Sequence, residues 1–455
     1  MSGTLWGGTM APEVAEYTAG GDRALDNRLL DWDVLGTLGH LVGLEAAGVV
    51  TTREAARLRV ALRRALRDAR GGTFTVGADD EDAHSALERR LVAELGELGE
   101  RVHAGRSRND QVAVDLRLLA RGRLLEVGDA VLDTVAALLA FARRHRAVVF
   151  PGYTHMRRAM PSTIGLWAAG FADALLDDLD PLGAALDLVD RSPLGSAAGY
   201  GAPLPLARER VGKALGFAGV QRAVTAVQGT RGKLEAVVLA ALWNVGFDLA
   251  KLAWDVTLFS GSEYGYLVLQ PELATGSSIM PHKRNPDVFE LTRARAGVIE
   301  GCLHEAMAVA GRLPSGYHRD FQLTKGPLLR GFDTALEMLR MTAWAVPRIA
   351  VDRTKCAVAV EGDLLATDEV FRRVRGGAPF RAAYRQVAAE VKAGIAQPPL
   401  GAAEILAARR ESGGAGNPAL GELAATAARA RRALRQRSAR VERALTALAG
   451  EGRRR

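Results

Sequence analysis

Residues able to do chemistry gather in a few short segments. Residues 275–290, TGSSIMPHKRNPDVFE, set a glycine before two serines, which puts exposed hydroxyls on a pliant backbone. Pro281 and Pro286 stiffen the next stretch of chain, with Lys283 and Asn285 between them and Asp287 and Glu290 where a helix would begin. A mobile serine loop hinged to a rigid cationic segment suits closure over an anion. The same composition also describes a polar surface loop capped by a helix. Residues 103–111, HAGRSRNDQ, alternate arginines with small hydroxyl and amide groups. That pattern makes a carboxylate clamp, or equally a basic loop with an N-cap at Ser107 or Asn109. Residues 151–161, PGYTHMRRAMP, present one histidine, His155, in a turn flanked by glycine and proline. Read alone, such a histidine is more often structural than catalytic.

The elements that must position these segments read as helix nearly throughout. In residues 51–69, Leu58, Leu62, Ala65 and Leu66 share a face, with arginines around the rest. Strand-like alternation is scarce. Three patterns, 117–145, 162–192 and 232–260, each run close to thirty residues and would reach about 40 Å. Helices of that length pack as an elongated bundle. Residues 232–260 carry few charges, which predicts burial on several sides and against other subunits. The expectation is an all-α protein of three helical domains, residues 1–106, 107–350 and 351–455. The middle domain is the bundle that forms the core of a homotetramer.

Composition narrows the classes. The 455 residues are 48% hydrophobic and 25% charged, values of a folded globular chain. Cys302 and Cys356 form neither a disulfide framework nor a zinc spacing, which fits a reducing cytoplasm. The N-terminus lacks the pattern of a signal peptide, and the longest apolar run, 236–246, reads as a buried helix. A net charge of +8 raises nucleic-acid binding, but the arginines are dispersed over many helices and only 5% of residues are aromatic. A basic surface could also attract a polyanionic small substrate, but a plain solvated arginine-rich surface is the favoured reading.

The segment GSSIMPHKRNP closely resembles the signature loop of the fumarase/aspartase superfamily, GSSxMPxKxNP. The resemblance implies that a loop serine takes the proton beside a substrate carboxylate: Ser277, with Ser278 as the fallback. Lys283 and Asn285 would then bind the carboxylate whose charge grows. GYTHMRRAMP resembles GYTHxQxAxP, which implies that Thr154 binds substrate, that His155 transfers a proton, and that Glu290 raises the basicity of His155. HAGRSRNDQ resembles HTGRSRNDQV and points within the superfamily to the argininosuccinate lyases, with Ser107, Arg108 and Asn109 binding substrate. Residues 313–325, LPSGYHRDFQLTK, resemble LPxxYNRDLQEDK, so Tyr317, Gln322 and Lys325 would hold the amino-acid end. Arg231 falls where the family has a substrate-binding arginine, and His84 lies in an ED-x-H match with a supporting role. LWGG at Leu5, PLGSAAGYG at 193–201 and 366–384 extend the match over most of the chain.

Departures are specific. Arg157 stands at the usual glutamine, His318 at an asparagine, and Leu323 and Thr324 at Glu-Asp. Counting back from Asp26 puts Asp22 at the position of a substrate-binding serine, with Arg23 the other candidate for that contact. The resemblance implies elimination of arginine from argininosuccinate to give fumarate, with no metal and no organic cofactor, in a homotetramer whose active sites are shared between subunits. A lyase acting on another N-substituted aspartate is the alternative. A non-catalytic relative, of the delta-crystallin kind, is a third reading, against which Ser277, His155, Lys283 and Glu290 are all intact.

Overall fold

The computed structural model describes residues 11–19, 21–77 and 80–451. The LWGG match at Leu5 and residues 452–455 of the basic tail lie outside them. Among the described residues helices dominate, and the strands form only two-stranded ladders.

The axis of the molecule is the Arg108–Arg144 helix, whose 37 residues extend about 55 Å. It holds no proline and starts at a firm cap. The Ser107 hydroxyl accepts from the Asn109 amide at 3.3 Å, and Asp110 Oδ1 accepts from the Ser107 amide at 2.9 Å. Against it pack Ile164–Asp177, Leu179–Val189, Lys325–Ala345 and Leu420–Ala449, and Lys233–Phe259 and Asp287–Ala310 pack on one another and on Lys325–Ala345. Their apolar faces merge into one core that includes Leu124, Val135, Leu138, Leu242, Val245, Leu249 and Leu339.

Two of the long patterns are single helices. The third is not. The expected run over 162–192 divides into Ile164–Asp177 and Leu179–Val189. Pro181 is the physical reason, because it has no amide for the Asp177 carbonyl and its ring crowds that group.

Lys233–Phe259 is long and apolar enough, by length and composition, to cross a membrane, yet half of its most apolar stretch is buried inside the fold. Most of the rest is only partly covered by this chain. Phe247 is 45% and Trp254 51% exposed, and Leu291, Val298, Met307 and Trp344 on the neighbouring helices are exposed too.

The N-terminal region builds a second core from Leu30–Ala46, Thr52–Arg70 and Ala83–Leu95. Thr52–Arg70 buries Leu58, Leu62, Ala65 and Leu66, the face read from the sequence, and begins with a capping box between Thr51 and Glu54. The C-terminal Leu420–Ala449 helix returns to the axis. Leu434 meets Gly128, where an added Cβ would come within 3.0 Å of it, and Arg431 pairs with Asp133 at 2.7 Å. Cys302 and Cys356 are both buried and free.

Candidate functional site

The start of the axial helix faces a cavity of about 580 Å³. Ser107, Arg108, Asn109, Arg231, Tyr317, Gln322, Lys325 and Asp22 all line it. Eight candidate residues drawn from four distant segments thus reach one hollow in a single chain.

Each is held by a local device. Ser107 is fixed as the N-cap. Arg108 is less free than the clamp reading supposes. Its Nη1 lies 2.6 Å from Glu81 and its Nε 3.3 Å from Asp82, and these acids outweigh burial to raise its pKa. Gln322 donates to the Thr18 carbonyl at 2.9 Å, as does Arg319 at 3.1 Å, which ties the 313–325 segment to the Pro12–Ala19 helix. Arg231 sits just before Gly232, whose φ is +75° and whose added Cβ would lie 2.0 Å from that of Ala310. Only glycine allows that approach.

Lys325 is 2% exposed and donates to both Asp22 and Asp26 at 2.6 Å. Burial alone would lower its pKa; the two carboxylates outweigh burial and raise it. Asp22, at the family's serine position, is therefore a counter-charge to Lys325. Burial raises the pKa of Asp22 in spite of that ammonium.

His103 and Arg106 at the cavity, and the partners of His84 beneath it, were not singled out from sequence. His103 and Arg106 line the cavity, and burial with the Arg106 charge takes the His103 pKa down to about 4, so the ring is neutral. Beneath the cavity, His84 Nδ1 donates to Asp33 at 2.8 Å, with Asp115 at 4.0 Å and Arg106 bonded to Thr37 at 2.9 Å. Burial opposes the His84 charge, but Asp33, Asp82 and Asp115 push its pKa up to about 10. Asp33, His84 and Asp115 have the spacing of metal ligands, but a ring that donates its Nδ1 proton to Asp33 has no lone pair there to give. Desolvation first, then the neighbouring Asp33, drives the Asp115 pKa well up.

The remaining candidates do not line this cavity. Thr154 and His155 lie at the tip of the Val149–Thr154/Arg157–Thr163 hairpin, where Thr154 pairs with Arg157. His155 and Met156 have φ of 51° and 59°, the left-handed pair of a two-residue hairpin turn that usually takes Asn-Gly. Two side chains carry strain there, and the turn holds the imidazole out from the protein. Below the tip, Tyr153 and Tyr266 share a hydrogen bond at 2.7 Å and meet Phe259 and Tyr264 in tilted and edge-to-face ring contacts.

Ser277 opens a loop closed by pairing of Thr275–Gly276 with Arg284–Asn285. Its Oγ accepts from the amides of Met280 at 3.1 Å and Ile279 at 3.4 Å. Backbone donors on a hydroxyl oxygen favour its deprotonated form. Asn285 donates to the Gly276 carbonyl at 3.4 Å, Lys283 is exposed, and Ile279 at the tip is 83% exposed. Glu290 pairs with Arg293 at 3.1 Å within this chain. One chain therefore presents a charged cavity, a histidine turn and a serine loop, and neither the turn nor the loop lines the cavity.

Comparison with known proteins fits these features. Residues 25–301 match the model of the Lyase family. The chain is 46% identical to the argininosuccinate lyase of Sorangium cellulosum, covering 93% of this chain and 98% of that one. It is 40% identical to that of Thermotoga neapolitana, over 85% and 98% of the two chains. Among solved structures, an EDDS lyase in complex with formate superposes with a TM-score of 0.77 at 24% identity, covering 97% of this chain and 94% of that one. The class II fumarase of Schistosoma mansoni gives 0.72 at 16% identity, over 86% and 92%. Fold, motifs and relatives agree, and the chain belongs to the argininosuccinate lyase family of carbon–nitrogen lyases.

Proposed function

We propose that this protein eliminates L-arginine from argininosuccinate and releases fumarate. The observation that carries this reading is the cavity that gathers Ser107, Asn109, Tyr317, Gln322 and Lys325 with the family's other cavity residues. Relatives of 38–46% identity that carry the argininosuccinate lyase name support it.

The step breaks a C–H bond next to a carboxylate, and the electron pair moves onto that carboxylate. As the C=C bond forms, the C–N bond breaks, and a proton reaches the departing guanidine. Ser277 is the base, with its oxygen already facing two backbone amides. Lys283 and Asn285, beside it on the loop, meet the carboxylate that gains charge. Thr154 binds substrate, and His155 delivers or stabilises the proton on the leaving guanidine. Glu290 acts on His155 to raise its basicity. Ser107, Arg108, Asn109, Arg231, Tyr317, Gln322, Lys325 and Asp22 bind the rest of the substrate.

The cavity, the histidine turn and the serine loop of one chain belong, in this reading, to three different sites of a cytoplasmic homotetramer. The exposed Phe247, Trp254, Leu291 and Val298 on the bundle support burial against other subunits. Each site would then combine the cavity of one subunit with the histidine turn and serine loop of others. The 1–106, 107–350 and 351–455 division would place the shared interface in the central segment.

The deciding experiment mixes the protein with argininosuccinate and follows fumarate by ultraviolet absorbance, with Ser277→Ala as control. Release that disappears in the variant is the expected result. No release from a folded tetramer would reject argininosuccinate as substrate. The departures Arg157, Leu323 and Thr324 would then direct the assay to other N-substituted aspartates.

A further inference from the structure

The deep wall of the cavity holds a charge arrangement outside the motifs. Arg231 is 6% exposed and lines both the main cavity and a small adjoining hollow, which Arg117 and Glu235 also line. Its Nε lies 3.3 Å from Oε1 of Glu235, one helical turn on, and its guanidinium lies 5.7 Å from the centre of the Phe321 ring. Arg117, also buried, donates to the Arg191 carbonyl at 2.5 Å and to Gln221. Burial takes the Arg117 pKa down to about 10, and among its neighbours only Glu235 opposes that, since Arg231 and Arg191 push the same way.

Two buried guanidiniums therefore lie in the field of one carboxylate, which is paired with Arg231 alone. The group keeps an excess positive charge where water screens little. Nη1 of Arg231 and Oε2 of Glu235 are both buried without a hydrogen-bond partner. The Arg231 guanidinium is thus gripped at its Nε and short of an acceptor at Nη1, while its side chain borders the cavity.

We propose that Glu235 is a positioning residue, which holds Arg231 by its Nε and leaves Nη1 and the excess charge for a carboxylate of the bound substrate. The proposal rests on the reading of the cavity as the substrate site. Glu235 touches no substrate; it acts through Arg231. Gly232 serves the same end, since its contact with Ala310 fixes the start of the helix that bears Glu235.

Steady-state kinetics on the assembled enzyme test this. Glu235→Gln keeps the shape and removes the charge, and is expected to raise KM about tenfold with kcat within about threefold. Added to Arg231→Lys, it should raise KM no further, because both changes remove one interaction. If Glu235→Gln does not fold, Glu235→Asp keeps the charge but shortens the reach, and the same rise in KM is expected. A folded variant with a lower Tm and an unchanged KM gives Glu235 a structural role only and overturns the proposal. Thermal shifts with L-arginine and fumarate need no turnover: smaller shifts in the variants support the proposal, and shifts equal to those of the parent overturn it. A parent enzyme that releases no fumarate rejects the proposed function instead, and the thermal shifts still decide this point.

Discussion

The ammonium of Lys325 and the carboxylate of Asp22 meet at 2.6 Å across 303 residues of chain, with Asp26 at the same distance on the other side. The arrangement is asymmetric. Removing Asp22 leaves Lys325 one buried partner, whereas removing Lys325 leaves two carboxylates facing each other. Asp22→Asn should therefore lower stability by about 1 kcal/mol, and Lys325→Met by about 3–5 kcal/mol. Urea unfolding of the two variants checks the order. Equal losses would mean that Lys325 does not hold the acids together.

The His84 ion pair predicts a dependence on pH. The folded ring has its pKa pushed from 6.5 up to about 10. The folded state thus binds a proton that the unfolded state releases, and the stabilisation is complete below pH 6.5. It is lost as pH rises from there toward about 10. Asp115, with its pKa raised, acts in the same direction at its own, more acidic end, since the folded state holds that proton more tightly. His84→Gln should destabilise by about 3 kcal/mol at pH 6 and by much less at pH 10. The measurement is the unfolding free energy of both proteins across that range. Parallel pH curves would contradict the assigned charge on His84.

How much of this was legible in the sequence depends on how local each cause is. The Thr51 and Ser107 caps, the apolar face of Thr52–Arg70 and the long helices follow from contacts within a few residues, and composition reveals them. The break after Asp177 was missed in reading 162–192 as one run, although its cause, Pro181, is local. The His84 cluster was not. Its partners Asp33 and Asp115 sit on other helices, and each reads alone as an ordinary polar residue. Glu235 was hidden likewise, one of three acids in an apolar helix, with its partner Arg231 just before that helix. The two amides on Ser277 arise from the fold of one loop, and spacing does not encode them.

Gly232 ties backbone geometry to the cavity. Its φ is +75°, and an added Cβ would stand 2.0 Å from the Ala310 Cβ. Gly232→Ala should cost about 1–2 kcal/mol for the left-handed backbone and about 1–3 kcal/mol more for the overlap. Because Arg231 is the preceding residue, KM should rise as well. Thermal unfolding together with KM reports both effects. A variant as stable as the parent would show that the junction is slack.

That neither the serine loop nor the histidine turn lines the cavity of its own chain leads to a prediction about mixed assemblies. Ser277→Ala and His155→Asn should each lower kcat by about 10²–10⁴-fold, since each removes one proton-transfer group. Neither should change Tm much, because both side chains lie in outward loops. Suppose each site takes Ser277 from one subunit and His155 from another. Tetramers formed by unfolding and refolding an equal mixture of the variants then contain sites with both residues native. Random assembly makes these about one quarter of all sites, so about a quarter of the parent activity should return. If Ser277 and His155 of the same subunit served one site, every site in the mixture would lack one residue and nothing would return. Recovery to that level, with neither variant active alone, would establish shared sites without locating a ligand. Absence of recovery in mixed tetramers verified by mass spectrometry would confine the chemistry to one chain, and a cavity lined by neither turn nor loop would need another explanation.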